Sequence, residues 1–255
     1  MAPSGKRGGL KVGRKMTAGI KKLSVVIPAY NEAATIAEVV RRAGEAEIGG
    51  LRREIIVVDD GSTDNTAAIV ARLSNVRLIS LPQNCGKGRA VKTGFAAATG
   101  EIVLIQDGDL EYDPTDYKRI LQPFFESDAD AVVGSRFAYG RPTFFFGPRR
   151  SPFFTHYIGN TLIVRLTNFL YRYRATDYEG GTKAFRSEVI SSLPIAADGF
   201  EYDNELMCKL LRRGYLIIEV PITYSPRSYA DGKKINWKDG ARILATIVKW
   251  RVKRF

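Results

Sequence analysis

Between residues 23 and 134, short apolar runs alternate with stretches of helical period, and several of the apolar runs break off into a polar cluster. Residues 23–27 (LSVVI) read as a buried strand ended by Pro28, and 33–47 as a helix. The alternation continues with a strand at 54–58, a helix at 64–73, a strand at 76–81 and a helix at 88–98. A strand at 101–106, a helix at 115–125 and a strand at 131–134 complete it. Strands joined through helices pair in parallel, so the pattern predicts an α/β fold: a mainly parallel central sheet with helices on both faces. Ligands of such sheets bind beyond the carboxyl ends of the strands. Polar clusters fall at those ends at 28–32, 59–64 and 107–111, which locates a site before any chemistry is assigned.

Beyond Phe137 the pattern changes. Residues 141–154 mix Pro, Gly, Arg and Phe as a long loop does, and 155–171 read as a helix. A helix at 200–213 closes at Gly214, a strand at 215–220 stops at Pro221, and 224–234 form a polar, basic loop expected to be mobile. Three regions result: a basic, disordered tail at 1–21, a main domain at 22–236, and an amphipathic basic helix at 237–255. The net charge of +12 is concentrated at the two ends and suits anionic partners. In the last helix Ile243, Leu244, Ile247, Val248 and Trp250 stand beside Arg242, Lys249, Arg251, Lys253 and Arg254. Such a helix either lies in a lipid headgroup layer or packs its apolar side on the main domain. The longest apolar stretch, 161–173, is interrupted by Arg165 and Arg172, so no membrane span is expected, and no secretory leader is visible. Cys85 and Cys208 make no disulfide framework and fit a reducing compartment. Basic and aromatic residues do not interleave as a nucleic-acid surface requires, so no nucleic acid is expected as a partner.

Asp107 and Asp109 follow the strand at 101–106 directly, with Glu111 two residues on. Paired carboxylates at a strand end suit a hard divalent cation, Mg²⁺ or Mn²⁺, that shares its oxygens with a diphosphate. The competing reading is ordinary turn chemistry. At 59–64 (DDGSTD), Ser62 or Asp64 serves as a helix cap, but capping leaves Asp59 and Asp60 unexplained; a carboxylate there suits a ribose or a base. The Gly86-Lys87-Gly88 sequence fails as a Walker loop, because Leu81 and Gly88 stand where Gly and Ser/Thr are needed. Lys87 at a helix start still suits a diphosphate. His156 is the only histidine and reads as a packing or surface residue.

Taken in order, VIPAYNE at 26–32, VDDGSTD at 58–64, NCGKG at 84–88 and QDGDLEY at 106–112 resemble the family 2 glycosyltransferases of the GT-A fold. The likeness is strongest to dolichyl-phosphate mannose and glucose synthases and their prokaryotic polyprenyl-phosphate relatives. The resemblance implies an inverting hexosyl transfer from a UDP- or GDP-linked sugar to a lipid phosphate at the cytoplasmic membrane face. It implies that Pro28, Tyr30, Glu32, Asp59 and Asp60 line the nucleoside pocket, and that Asp107, Asp109 and Glu111 hold the metal. Arg136, in GSR at 134–136, and Arg149 or Arg150 then face the acceptor phosphate; Arg227 and Lys233 close over the donor phosphates. The stretch 150–160 fits the lipid synthases loosely, which leaves a sugar hydroxyl open as the acceptor. Glu179 or Glu201 would then act as general base, whereas a phosphate needs none.

Overall fold

The computed structural model describes residues 19–137, 154–225 and 237–255, with side chains omitted at 154–156 and 237–238. In chain order the elements are β1 (Lys22–Ala29), α1 (Ile36–Glu45), β2 (Arg52–Asp59), α2 (Thr66–Val70), β3 (Val76–Ser80), α3 (Lys87–Ala97) and β4 (Ile102–Ile105). A 3-10 turn (Pro114–Asp116) leads into α4 (Tyr117–Glu126) and β5 (Ala131–Ser135). There follow α5 (Phe154–Tyr171), β6 (Lys183–Arg186), α6 (Ser187–Ser191), α7 (Tyr202–Arg213), β7 (Ile217–Pro221) and α8 (Trp237–Val252).

The strands form one seven-stranded sheet in the order β3-β2-β1-β4-β6-β5-β7. Only β6 is reversed: it pairs antiparallel with β4 and β5, while every other pairing is parallel. The alternation along β1 explains the two layers. Val25 and Ile27 point into a core with Ile36 and Val39 of α1 and Tyr117, Ile120 and Phe124 of α4. Val26 points the other way, to Val91 of α3 and Leu206, Met207 and Leu210 of α7. Pro221 closes β7 at the sheet edge, where its missing N–H does least harm. The mainly parallel α/β sheet expected from the sequence is thus present.

Two elements were not legible. Residues 183–186 (KAFR) lack an apolar run, yet β6 lies inside the sheet with Lys183, Ala184 and Phe185 buried. Its end charges are neutralised by acids from elsewhere in the chain: Lys183 pairs with Asp203, and Arg186 with Asp128 at 2.8 Å. α6 follows without a break. The helix expected at 64–73 shrinks to α2, because the Asp64 carboxylate accepts the Thr66 N–H and holds the turn before it.

The last helix takes the packed alternative. Ile243, Ile247 and Trp250 of α8 are buried with Ile163 of α5 and Cys208 of α7, forming a further layer outside α7. Their side chains are therefore unavailable to a headgroup layer, and α8 is not a separate unit; Val248 and Val252 remain exposed. Among the described residues, no helix is long and apolar enough to cross a membrane. Ile247, fully buried, gives the direct test of this seating. Ile247→Ala is expected to lower the unfolding free energy by about 2–4 kcal/mol in urea titrations. A loss below about 0.5 kcal/mol, the size of an ordinary surface substitution, contradicts the packing of α8.

Candidate active site

Parallel pairing of β1 with β2 and β4 brings the 28–32, 59–64 and 107–111 clusters to one edge of the sheet. They interlock there. Asn31 takes a positive φ of 51°, its N–H bonds Ser62 Oγ, and its side-chain oxygen accepts the Thr63 N–H. Asp64 accepts the Ala33 N–H, and Thr66 Oγ1 accepts the Glu32 N–H. Thr35 ties this pair of loops to the third through its hydroxyl, which donates to the Gly108 carbonyl at 2.7 Å.

Within the 107–112 loop, Leu110 adopts a φ of 59°, rare for a bulky residue, and the Glu111 N–H bonds Asp109 Oδ1 at 3.1 Å. Gln106, fully buried, spans the loop: its amide donates to the carbonyls of Asp107 and Tyr112, and the Tyr117 hydroxyl donates to its oxygen. The antiparallel bridge Tyr112–Tyr224 and the Ser225 N–H to Glu111 carbonyl bond join the chain after β7 to the same loop.

Lys87 supplies a cation to this edge. Its ammonium lies 2.6 Å from Asp107 Oδ1. Burial pulls Lys87 down, but Asp107, Asp109 and Asp203 more than offset it and hold the ammonium above the usual lysine range. The Gly181 backbone packs against the other oxygen of Asp107, leaving no room for a side chain: a Cβ there would lie 2.2 Å from Oδ2. The oxygen-rich donor set and a carboxylate that already draws a cation fit Mg²⁺ or Mn²⁺. Among the described residues no three acidic, histidine or cysteine groups converge as a closed metal cage.

The other expected residues divide. Pro28, Tyr30 and Glu32 lie at and just beyond the end of β1, which pairs with the end of β2 that carries Asp59 and Asp60, and Glu32 lies close to Gly108. Asp60 has a task in the protein itself: its two oxygens accept the Cys85 and Gly86 N–H groups, each at 2.8 Å, and fix the entry to α3. Burial pushes its carboxyl up despite those bonds. Arg136 is committed to Asp177 through a two-pronged contact at 2.7 and 2.9 Å, stacked between Phe137 and Tyr224. Burial opposes ionisation of Asp177, yet the guanidinium holds it below the usual carboxylate range. Arg149, Arg150, Arg227, Lys233 and the His156 side chain lie outside the described residues.

A second acidic group was only half foreseen. Among the described residues, Oε1 of Glu179, Oε2 of Glu201 and Oδ1 of Asp203 are buried without hydrogen-bond partners. Burial, then repulsion from Asp203, pushes Glu179 up to about 7. Lys183 donates to the other Asp203 oxygen. Unfilled acceptors of this kind suit the hydroxyl donors of a sugar. Glu179 and Glu201 were expected from the sequence, whereas Gln106, Lys183 and Asp203 were not assigned roles. Asp203 stands two residues after Glu201.

Because the folded protein retains the Glu179 proton between its ordinary value of 4.5 and about 7, this group's contribution to stability is full below 4.5 and lost as pH rises through 7. Glu179→Gln removes that loss. The melting temperature of the variant minus that of the wild type is expected to grow from pH 5 to pH 8; a difference independent of pH contradicts the raised carboxyl.

Residues 24–193 match the family described as "Glycosyl transferase family 2". The chain is 32% identical over 232 residues to "Glycosyltransferase AglJ" of Haloferax volcanii, covering 88% of this chain and 70% of that protein. It is 30% identical over 216 residues to a dolichol-phosphate mannosyltransferase of Pyrococcus furiosus, covering 83% of this chain but 59% of the relative's length. Among solved structures, glucosyl-3-phosphoglycerate synthase of Mycobacterium tuberculosis with Mn²⁺, UDP and phosphoglyceric acid aligns with a TM-score of 0.69 at 25% identity. That alignment covers 93% of this chain and 81% of the other.

Proposed function

Because the chain belongs to glycosyl transferase family 2, a family of the GT-A fold, we propose that it moves a hexose from a nucleoside-diphosphate sugar to a polyprenyl phosphate at the cytoplasmic membrane face. The observation that carries the donor half is the strand-end pair Asp107 and Asp109 with Lys87 against Asp107. An acceptor oxygen attacks the anomeric carbon in line, the bond to the diphosphate breaks, and the nucleoside diphosphate leaves with the electron pair, inverting the centre. Asp107, Asp109 and Glu111 would hold Mg²⁺ or Mn²⁺, which neutralises charge on the departing diphosphate. Lys87, drawn to the same carboxylates, adds positive charge beside it. Asp59, Asp60, Pro28, Tyr30 and Glu32 orient the nucleoside, and the unfilled acceptors of Glu179, Glu201 and Asp203 take sugar hydroxyls. Arg150, Arg227 and Lys233 are assigned to phosphate by the family resemblance.

The acceptor half is supported by the relative that acts on dolichol phosphate and by the outer face of α5. Ile158, Leu162 and Phe169 stand on that face at helical spacing, 51%, 52% and 79% exposed, with Arg165 among them. Neighbouring α8 exposes Val248 and Val252 beside Lys249, Arg251 and Lys253. Apolar side chains framed by cations suit an anionic lipid surface. A sugar hydroxyl as acceptor is the second reading, favoured by Glu179 at about 7, where a general base works at neutral pH.

Incubation with UDP- and GDP-hexoses, polyprenyl phosphate and Mn²⁺, read by mass spectrometry, is expected to give a lipid-linked hexose. Asp109→Ala is expected to lose about a hundredfold or more in rate while keeping its melting temperature. Full activity of that variant, or of the wild type in excess EDTA, contradicts the metal assignment; transfer only to hydroxyl acceptors, with a rate rising through pH 7, selects the second reading. Leu162→Ser with Phe169→Ser is expected to reduce flotation with anionic liposomes. Unchanged flotation removes α5 from the membrane contact.

A further inference from the structure

Lys209 lies within α7 with 1% of its side chain exposed, and Glu205, one turn earlier, is equally buried. The two are ion-paired, and the Lys209 ammonium also donates to the Pro194 carbonyl. A buried ion pair rarely adds net stability over apolar side chains of the same volume, so this one is better understood by what it holds. Both oxygens of Glu205 accept backbone amides, from Ala196 at 2.8 Å and Ala197 at 2.9 Å. Glu205 and Lys209 therefore grip the segment 194–197 from below.

The residues that follow sit on the start of α3. The Asp198 carbonyl accepts the Arg89 N–H at 3.1 Å, and its carboxylate takes Lys92 and Arg89. The approach is close enough to exclude side chains. A Cβ on Gly86, whose φ is 101°, would lie 2.4 Å from the Asp198 carbonyl oxygen, and one on Gly88 would lie 2.8 Å from that of Ala197. Between these glycines stands Lys87, whose ammonium reaches Asp107. On the far side, the Lys209 ammonium lies 3.7 Å from the centre of the Trp250 ring and 5.3 Å from that of Phe255. Trp250 is 3% exposed, so α8 seals the lysine from water.

We propose that Glu205 and Lys209 are positioning residues for the donor-phosphate side of the site: they fix residues 194–199, which set the first turn of α3 and the reach of Lys87, and Trp250 of α8 completes them. The proposal rests on reading Lys87 and Asp107 as part of the donor site. It gives α8 a role in transfer through Trp250, which meets Lys209 rather than the acid loops. Contiguous contacts of this kind couple sites only if the element between them responds to both ends, so the response of the α3 start has to be measured.

The double variant Glu205→Gln with Lys209→Met removes both charges at nearly constant volume; Ile243→Ala, two turns before Trp250 on α8, opens a cavity without touching the pair or the ring over it. In the double variant, amide hydrogen exchange across residues 84–92 is expected to quicken about tenfold, and the donor KM to rise by a similar factor, with the acceptor KM unchanged. Ile243→Ala is expected to lower the melting temperature while leaving exchange at 84–92 and the donor KM unchanged. Trp250→Leu is expected to move both readouts in the direction of the double variant, and Trp250→Phe, which keeps a ring over the ammonium, to restore them; this pair serves if the double variant does not fold. Unchanged exchange at 84–92 in the double variant or in Trp250→Leu, or an equal rise in Ile243→Ala, overturns the proposal. Failure of the wild type to bind UDP or GDP with Mn²⁺ overturns the donor-site reading instead, and the exchange comparison still decides whether the pair positions α3.

Discussion

Parallel pairing of β1 with β2 and β4 sends three strand ends to one edge of the sheet, and each end carries carboxylates: Glu32, then Asp59 and Asp60, then Asp107 and Asp109. Like charges brought together at the rim of a low-dielectric sheet repel unless donors or cations answer them. The protein answers with its own groups. Backbone amides satisfy Asp60, the Lys87 ammonium sits on Asp107, and Lys183 meets Asp203. Among the described residues, single oxygens of Glu179, Glu201 and Asp203 remain without a donor. The site is thus an anionic rim held by a few cations, the charge pattern on which the proposed divalent ion and sugar contacts rest.

The rim is rigid where it has to be. Thr35, Asn31 and Asp64 cross-link the loops after β1, β2 and β4, and Gln106 clasps the 107–112 loop at both ends. Tyr117 orients the Gln106 amide, since a hydroxyl bonded to the carboxamide oxygen fixes which side donates. Support by buried polar groups of this kind keeps carboxylates in place before any ligand arrives.

Much of this was legible in the sequence because parallel strands declare themselves twice, by apolar runs and by the polar residues where those runs stop. The strand-end positions of Asp107 and Asp109 were read that way, as were those of Asp59 and Asp60. β6 escaped because its ends are charged: Lys183 and Arg186 have the character of surface residues until Asp203 and Asp128 are placed beside them by the fold. Gln106 escaped for a related reason, since an amide that bonds carbonyls one and six residues ahead leaves no pattern in spacing. The last helix shows the converse limit. Its apolar stripe was visible, but a stripe does not say whether lipid or protein covers it; the packing of Ile243, Ile247 and Trp250 on α5 and α7 answers for those three residues. Arg136, assigned to the acceptor phosphate by the family resemblance, is paired with Asp177, a partner distant in sequence that spacing does not reveal.

The central claim is that the carboxylates at the end of β4 hold a divalent ion together with the donor diphosphate. Crystals grown with Mn²⁺ and UDP, and in parallel with GDP, test it through the anomalous signal of manganese. The account predicts an anomalous peak about 2.2 Å from a carboxylate oxygen of Asp107 or Asp109 and in contact with the diphosphate. A nucleotide bound at this edge with manganese elsewhere, or with its diphosphate held by lysine and arginine alone, contradicts it.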